Sequence, residues 1–200
     1  MRILAIETAT EACSVALFEN GVLLDARHDV LGRGHAERLV PMIAELPGKG
    51  RAEAIRVSLG PGSFTGVRIG LATARALGIA WSSEVLGYPT LALLAAMAGE
   101  AATVCMNGGH GEFFVQTFDA DGKAETEVRS MPPAEAAGAA RHGLIVGNRA
   151  DALASLLGTD ARGQDMLPDA REVLRLAPSH LTSVLAPLYG RGPDAKLPGT

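Results

Sequence analysis

A short polar turn near the start of the chain, Glu7-Thr8-Ala9-Thr10, has residue types that could contact a phosphate group. Turns of the form Asp-x-Gly-x-Thr hold nucleotide phosphates in some ATPases. Their carboxylate serves the metal ion, and their glycine lets the backbone approach the phosphate. Here the acid is one methylene longer and alanine stands in the glycine position. We therefore favour a strand-end turn capped by threonine hydroxyls, and keep a vestigial nucleotide site at Glu7, Thr8 and Thr10 as the alternative.

A second candidate turn, Asn107-Gly108-Gly109, lies where a second phosphate-binding hairpin would begin with aspartate. Asparagine does not supply the negative charge that a divalent cation favours. The sequence therefore favours a plain hairpin turn. Because one acidic anchor is altered and the other is absent, we expect no catalytic residue, no metal ion and no cofactor in this chain.

The remaining polar residues do not form a known catalytic or metal-binding motif. No two histidines are three or four positions apart, so a helical metal motif is not supported. Ser63 is not in a Gly-x-Ser-x-Gly motif, because Thr65 stands between Phe64 and Gly66. A nucleophile elbow is thus not supported, and we interpret Ser63 or Thr65 as the N-cap of a helix. The histidines are His28, His35, His110, His142 and His180.

The composition is typical of a water-soluble globular protein. The chain has 200 residues, 48% of them hydrophobic, and a net charge of −4. That length fits one large domain or two small lobes. The negative net charge argues against binding of RNA or DNA by the chain alone. Isolated Cys13 and Cys105 argue against a disulfide framework and favour a cytoplasmic protein. The N-terminal apolar run is too short for a signal peptide, and the apolar region 91–106 is too short to span a membrane.

The hydrophobic pattern predicts two halves of similar organisation. Both open with strands joined by turns and continue with helices, and Asn20-Gly21 is a strong signal for a tight hairpin in the first half. We therefore predict a duplicated α/β architecture with lobes at residues 1–97 and 98–200. The predicted strands are 3–6, 13–19, 22–30, 55–59, 85–86, 102–106, 112–118, 124–129 and 144–146. The predicted helices are 35–46, a glycine-rich one ending near residue 80, 90–98, one beginning near residue 133, and two more near the C-terminus.

The glycine-rich helix carries small residues at every fourth position: Gly66, Gly70, Ala74 and Gly78. Because glycine costs a helix roughly 1 kcal/mol relative to alanine, such a stripe indicates close approach of another element. That element is either the chain's own sheet or a partner, and one fold can use both faces. The predicted partner interface comprises Leu39, Met42, Ile43, Leu46, Gly66, Ile69, Gly70, Thr73, Ala74 and Leu77.

Several segments together resemble the TsaB (YeaZ) family. The resemblance is dense over roughly the first 90 residues and patchy afterwards. It rests on the N-terminal segment 1–17, the segment 35–43, the glycine loop 60–70, Gly111-Glu112-Phe113-Phe114 and the closing Pro187-Leu188-Tyr189-Gly190-Arg191.

The resemblance implies a two-lobed, actin-like ATPase fold (ASKHA, ribonuclease H-like) with a reduced second lobe and a degenerate nucleotide site. It further implies a cytoplasmic, non-catalytic subunit that pairs with the paralogue TsaD to modify tRNA adenosine beside the anticodon to threonylcarbamoyladenosine. The ATPase TsaE would join that complex, tRNA would be met only through it, and a homodimer is possible for the isolated chain. The TsaD metal motif His-x-x-x-His has no counterpart in Gly87-Tyr88-Pro89-Thr90-Leu91.

Two departures from the family pattern concern the second lobe and a connection. Asn107 and Gly109 replace an aspartate and an arginine of the family, and the connection 47–53 is shorter than usual. Two other functions stay open from the residues: an active ASKHA phosphotransferase using Glu7, Thr8 and Thr10, and a metallopeptidase of the glycoprotease type. The missing histidine pair argues against the second.

Overall fold

The computed structural model describes residues 1–190, so Arg191 of the C-terminal motif lies outside the described residues. The first half forms a five-stranded sheet with the order β3-β2-β1-β4-β5. The first three strands are antiparallel, whereas β4 and β5 run parallel to β1. The strands are β1 Arg2–Glu7, β2 Ala12–Glu19, β3 Val22–Val30, β4 Ala54–Ser58 and β5 Glu84–Tyr88.

The second half repeats that sheet, with the order β10-β9-β6-β7-β8. The strands β6, β7 and β8 take the places of β1, β2 and β3, and β9 and β10 take those of β4 and β5. This repetition confirms the two-lobed α/β architecture with a reduced second lobe, since three of its strands have only three residues each. The strands are β6 Ala102–Gly109, β7 Glu112–Phe118, β8 Arg129–Met131, β9 Leu144–Val146 and β10 Arg162–Gln164.

Five α-helices connect and cover the sheets within residues 1–190. They are α1 His35–Ala44, α2 Phe64–Trp81, α3 Thr90–Ala98, α4 Pro133–Ala139 and α5 Ala150–Leu157. The second of the two helices predicted near the C-terminus is a 3₁₀ turn, Ala170–Arg175. The division into lobes at residues 97 and 98 stays a proposal.

Two predictions about the second sheet are wrong. Asn107-Gly108-Gly109 belongs to strand β6, and the turn falls at His110-Gly111, where both residues have positive φ angles. The predicted strand 124–129 is reduced to an isolated bridge at Ala124, and β8 begins only at Arg129. The Thr126 hydroxyl accepts the Thr117 N–H at 2.9 Å. A side chain thereby replaces the backbone partner that a strand would have supplied.

Two apolar clusters hold the first sheet from both faces. One face packs Leu4 and Ile6 against α1 and α2. The other face, with Ile3 and Phe18, packs against α3 and the second sheet in one continuous cluster. The two lobes therefore share a core.

The C-terminal segment ties the lobes together a second time. The Leu188 N–H donates to the Leu59 carbonyl, after strand β4, and the Ser130 N–H in β8 donates to the Gly190 carbonyl. Thr182 pairs with Gly87 in β5. This segment therefore forms one wall of the region where the glycine loop faces the second lobe.

Candidate functional site

The Glu7 carboxylate points into the protein interior instead of the interlobe cleft. Its side chain has no exposed surface. Oε1 accepts the Ala9 N–H at 2.7 Å, and the Tyr88 hydroxyl lies 3.4 Å from Oε2. Burial raises the pKa of Glu7 from 4.5 to about 7, because these hydrogen bonds only partly offset the loss of solvation. The acid that would serve a metal ion is thus enclosed.

The two threonines of the turn also have partners inside the chain. The Thr8 hydroxyl donates to the Gly66 carbonyl at 2.8 Å, and Thr10 Oγ1 accepts the Ala12 N–H at 3.2 Å. Both side chains are buried. The three residues of the predicted vestigial nucleotide site therefore act here as internal hydrogen-bonding groups of a strand-end turn.

The glycine loop before α2 closes directly over this turn. The Ser63 N–H donates to the Ala9 carbonyl at 2.7 Å. A Cβ atom on Gly62 would collide with that same carbonyl oxygen, and one on Gly66 would collide with the Thr8 carbonyl oxygen. The glycines at these two positions therefore allow the loop to pack on the backbone that would otherwise be free to approach a phosphate.

The start of α2 is as predicted. Ser63 is the N-cap, and its hydroxyl accepts the Gly66 N–H at 3.1 Å. A Cβ on Gly70 would collide with the Thr8 hydroxyl, and one on Gly78 would meet the Val85 side chain. The small-residue stripe therefore faces the chain's own first sheet, which was one of the two alternatives.

Most of the predicted interface residues are buried in the chain's own core, and their assignment as partner contacts stays a prediction. Amphipathic spacing identifies the face that a helix buries, and here the first sheet already covers that face. Ile69, Thr73 and Leu77 are only half-buried, at the edge of this contact. The buried members of the set are Leu39, Met42, Ile43, Leu46, Gly66, Gly70 and Ala74.

The outward surface of the same two helices consists of residues that the sequence reasoning did not select. Val40 on α1 is 56% exposed and Ile79 on α2 is 84% exposed. Ala72 and Ala76 are also exposed on α2. Their signal in the sequence is weak, because they are apolar residues at positions that do not share the periodicity of the buried stripe.

A cavity of about 530 Å³ lies in the cleft between the first turn and the β6–β7 hairpin. Asn148 crosses this cleft: its amide nitrogen donates to the Glu11 carboxylate at 2.9 Å, and its amide oxygen accepts the Asn107 N–H at 2.9 Å. His110 and Arg149 contribute exposed side chains to the lining. Sequence reasoning missed Asn148 and Arg149, because neither belongs to a recognisable motif.

Within residues 1–190, no group of three or more His, Cys, Asp or Glu side chains is arranged to hold a metal ion. None of the helices in that range is both long and apolar enough to cross a lipid bilayer.

Comparison with known proteins places these features in a family. The family model described as "TsaD: tRNA N6-adenosine threonylcarbamoyltransferase" matches residues 29–165. The tRNA threonylcarbamoyladenosine biosynthesis protein TsaB of Escherichia coli K12 is 43% identical over 100 residues, which cover 48% of this chain and 43% of that protein. The TsaB of Haemophilus influenzae is 36% identical over 105 residues, or 50% of this chain and 44% of that protein. These matches thus span less than half the length of either relative.

Two solved structures from Pseudomonas aeruginosa share the fold. A protein described as similar to peptidase YEAZ superimposes with a TM-score of 0.79 at 28% identity, covering 95% of this chain and 99% of that chain. The structure titled YeaZ gives a TM-score of 0.74 at 28% identity, covering 88% and 89% of the two chains.

Proposed function

Because this chain belongs to the TsaB (YeaZ) family, within the group that the TsaD model describes, we propose that it is a non-catalytic subunit of tRNA threonylcarbamoyladenosine biosynthesis. It pairs with the transferase TsaD and stabilises its active form. TsaE joins the same assembly, and the chain contacts tRNA only as part of that assembly. In the absence of TsaD the chain can pair with a second copy of itself.

The observation that carries the non-catalytic role is the enclosed Glu7 carboxyl. A metal-dependent phosphotransferase needs an ionised carboxylate facing the bound nucleotide. In this chain the first-lobe acid is buried beside Ser58 and Tyr88, with its pKa raised to about 7. The corresponding position of the second lobe is Asn107. Both anchors of the metal ion are thereby lost.

The pairing surface that we propose is the outward face of α1 and α2. Val40, Ala72, Ala76 and Ile79 present apolar side chains to solvent there, and the small alanines let a partner helix approach closely. A pairing of ordinary size buries about 1,600 Å² in total. The buried core residues beneath this face, such as Leu39, support the interface by fixing the two helices and do not touch the partner.

A substitution on this face tests the pairing. Ala76→Arg places a long charged side chain in the centre of the surface, and we expect at least about a tenfold loss of affinity for TsaD, or about 1.4 kcal/mol. Ala152→Arg on α5 is the matched control, since Ala152 is also an exposed helical alanine. Titration calorimetry measures the affinity, and reconstituted tRNA modification with TsaE measures the function.

Two results would refute the proposal. One is a mixture of the wild-type chain with TsaD that stays monomeric and yields no modified tRNA with the other components. The other is an equal loss of affinity in the Ala76 and Ala152 variants, which would place the contact elsewhere.

The second candidate function is an active ASKHA phosphotransferase, and the cleft cavity beside Arg149 is the observation that favours it. Calorimetry with Mg-ATP on the isolated chain distinguishes the two functions. Micromolar binding with slow hydrolysis would support the phosphotransferase.

A further inference from the structure

A second cavity, of about 620 Å³, adjoins the cleft cavity, and the two share Gly62, Ser63, Phe64, Gly108 and His110. Its walls are the glycine loop with the start of α2, the β6–β7 hairpin, and the C-terminal segment that spans both lobes. Its volume lies within the range of about 300–1,000 Å³ that is usual for small-molecule sites. The proposed pairing on Ala72 and Ala76 does not use this cavity.

Aromatic side chains are concentrated in this cavity. The chain has only five Phe, two Tyr and one Trp, and three of these, Phe64, Phe114 and Tyr189, line the same space. Phe64 is 68% exposed and Tyr189 is 61% exposed. Exposing two large rings at one concave place costs hydrophobic stabilisation, which a planar ligand stacked on them would restore.

Arg68 holds these two exposed rings in place. Its guanidinium carbon lies 3.2 Å from the centroid of the Phe64 ring and 5.6 Å from that of the Tyr189 ring. One guanidinium nitrogen donates to the Phe64 carbonyl at 2.9 Å, and another donates to the Tyr189 hydroxyl at 2.8 Å. The rings are therefore fixed before any ligand arrives, which lowers the entropy cost of binding.

The charge of the cavity selects among planar ligands. Of the described residues in its lining, Arg68 carries a positive charge, His110 can gain one, and none is Asp or Glu. The adjoining cleft holds a cation, Arg149, and a carboxylate, Glu11, that accepts hydrogen bonds from Asn148. A cationic ring is therefore disfavoured, whereas a ring attached to a phosphate is favoured.

We propose that this cavity binds a nucleobase, with its ring against Tyr189 and Phe64 and its phosphate toward Arg149. The nucleobase belongs either to a free mononucleotide or to an unpaired base of an RNA strand, since both present the same ring and phosphate. Unpaired RNA bases are commonly held by aromatic side chains and arginine. The RNA source rests on the proposed function, whereas the mononucleotide source does not.

The test is a titration of the full chain with AMP and, separately, with a short single-stranded RNA, followed by amide chemical shifts. We expect the largest shifts at Gly62, Gly108 and Gly190, whose backbones line the cavity. Because base–aromatic stacking is worth about 1–3 kcal/mol, Tyr189→Ala and Phe64→Ala should each weaken binding at least about fivefold. Tyr189→Phe should lose less than Tyr189→Ala, because it keeps the ring.

Leu156→Ala is the matched control, since Leu156 is an exposed apolar residue on another helix, α5, and lines neither the cavity nor the proposed pairing surface. The affinity of this control variant for AMP and for the RNA should equal that of the wild type. Binding of AMP identifies a mononucleotide site, and binding of RNA alone identifies an unpaired base, so both support the proposal. Since Tyr189 and Phe64 both contact Arg68, circular dichroism checks the fold of both alanine variants, and Tyr189→Phe, which keeps the ring, gives the independent measurement.

Three outcomes overturn the proposal: no binding of either probe at millimolar concentration, binding that is indifferent to Phe64 and Tyr189, or shifts confined to another surface. A loss of TsaD affinity in these variants without nucleobase binding would also overturn it and would assign the rings to a protein contact. The titration uses no TsaD, so its failure leaves the proposed pairing on Ala76 standing, and the reverse also holds.

Discussion

Replacing Glu7 by glutamine removes one ionisable group from the interior without changing its shape. The carboxyl has no exposed surface, and burial raises its pKa to about 7. Glutamine keeps the oxygen that accepts the Ala9 N–H. Its amide nitrogen would face hydroxyl groups of Ser58 and Tyr88, which can rotate and accept a hydrogen bond. We therefore expect Glu7→Gln to fold and to differ from the wild type mainly in the pH dependence of stability.

The sign of this pH dependence follows from whether the folded or the unfolded chain binds the Glu7 proton more tightly. The pKa of Glu7 is higher in the folded chain than the ordinary value of 4.5. Its contribution to the free energy of unfolding is therefore complete below about 4.5 and is lost as the pH rises through about 7. At 1.36 kcal/mol per pH unit, the gap between about 7 and 4.5 amounts to roughly 3 kcal/mol. Glutamine does not titrate, so the variant should gain up to that amount over the wild type in this window.

Urea denaturation of both proteins at several pH values between about 4 and 8 measures this difference. Titrations shared by the two proteins cancel when the free energies of unfolding are subtracted. Asp169→Asn is a control whose pH dependence should have the opposite sign. Burial raises the pKa of Asp169, but its hydrogen bonds and charge interaction with Arg171 outweigh burial, so the pKa of Asp169 is lowered. Asp169 thus stabilises the fold above its ordinary value of 3.8 and loses that effect as the pH falls. If the free energies of unfolding of Glu7→Gln and the wild type differ by an amount that stays constant with pH, the reasoning is refuted.

Two further predictions concern packing and thiol reactivity. Gly66→Ala should lower the free energy of unfolding by at least about 1–3 kcal/mol, because the new methyl collides with the Thr8 carbonyl. Gly138→Ala, with open space around the new methyl, should raise the free energy of unfolding by about 0.4–1 kcal/mol. Equal effects of the two substitutions in urea denaturation would contradict the close packing of Gly66 on Thr8. Burial raises the pKa of Cys13 to about 11 and that of Cys105 to about 12, so a thiolate-selective reagent should label them only as the chain unfolds. Rapid labelling of the folded chain at neutral pH would contradict that burial.

The first sheet was predictable because its signals are local. Alternation in β2 places Cys13, Val15 and Leu17 on one face, as observed. The turn at Asn20-Gly21 has the positive φ angles that its residues favour. The predicted strand 124–129 was wrong because a Thr126 side-chain hydrogen bond replaces strand pairing. Strands of three residues, such as β10, are too short for periodicity to reveal.

The sequence predicted which residues of the candidate site differ from a phosphate-binding turn, but not how those residues are arranged in space. The sequence identifies Glu7 as an altered acid, but its burial depends on Ser58 and Tyr88, which follow much later in the chain. Four-residue spacing of small residues indicates that some element approaches α2. It does not say which, and the neighbours of Gly70 and Gly78 come from three different strands, β1, β4 and β5. Helical periodicity likewise identified the buried face of α1 and not the outward face at Val40.

The glycine loop and the buried Glu7 carboxyl close the same strand-end turn from two sides. Gly62 and Gly66 pack on the carbonyls of Ala9 and Thr8, while the Glu7 carboxyl lies buried beside Ser58 and Tyr88, loses solvation and holds its proton more tightly. Restoring the phosphate-binding sequence alone should therefore not restore the site. We expect a Glu7→Asp, Ala9→Gly double variant to bind Mg-ATP no better than the wild type in titration calorimetry, because the glycine loop still covers the backbone of the turn. Tight binding by that variant would mean that the loop opens at little cost in free energy, and the enclosure of Glu7 would then not explain the lost site.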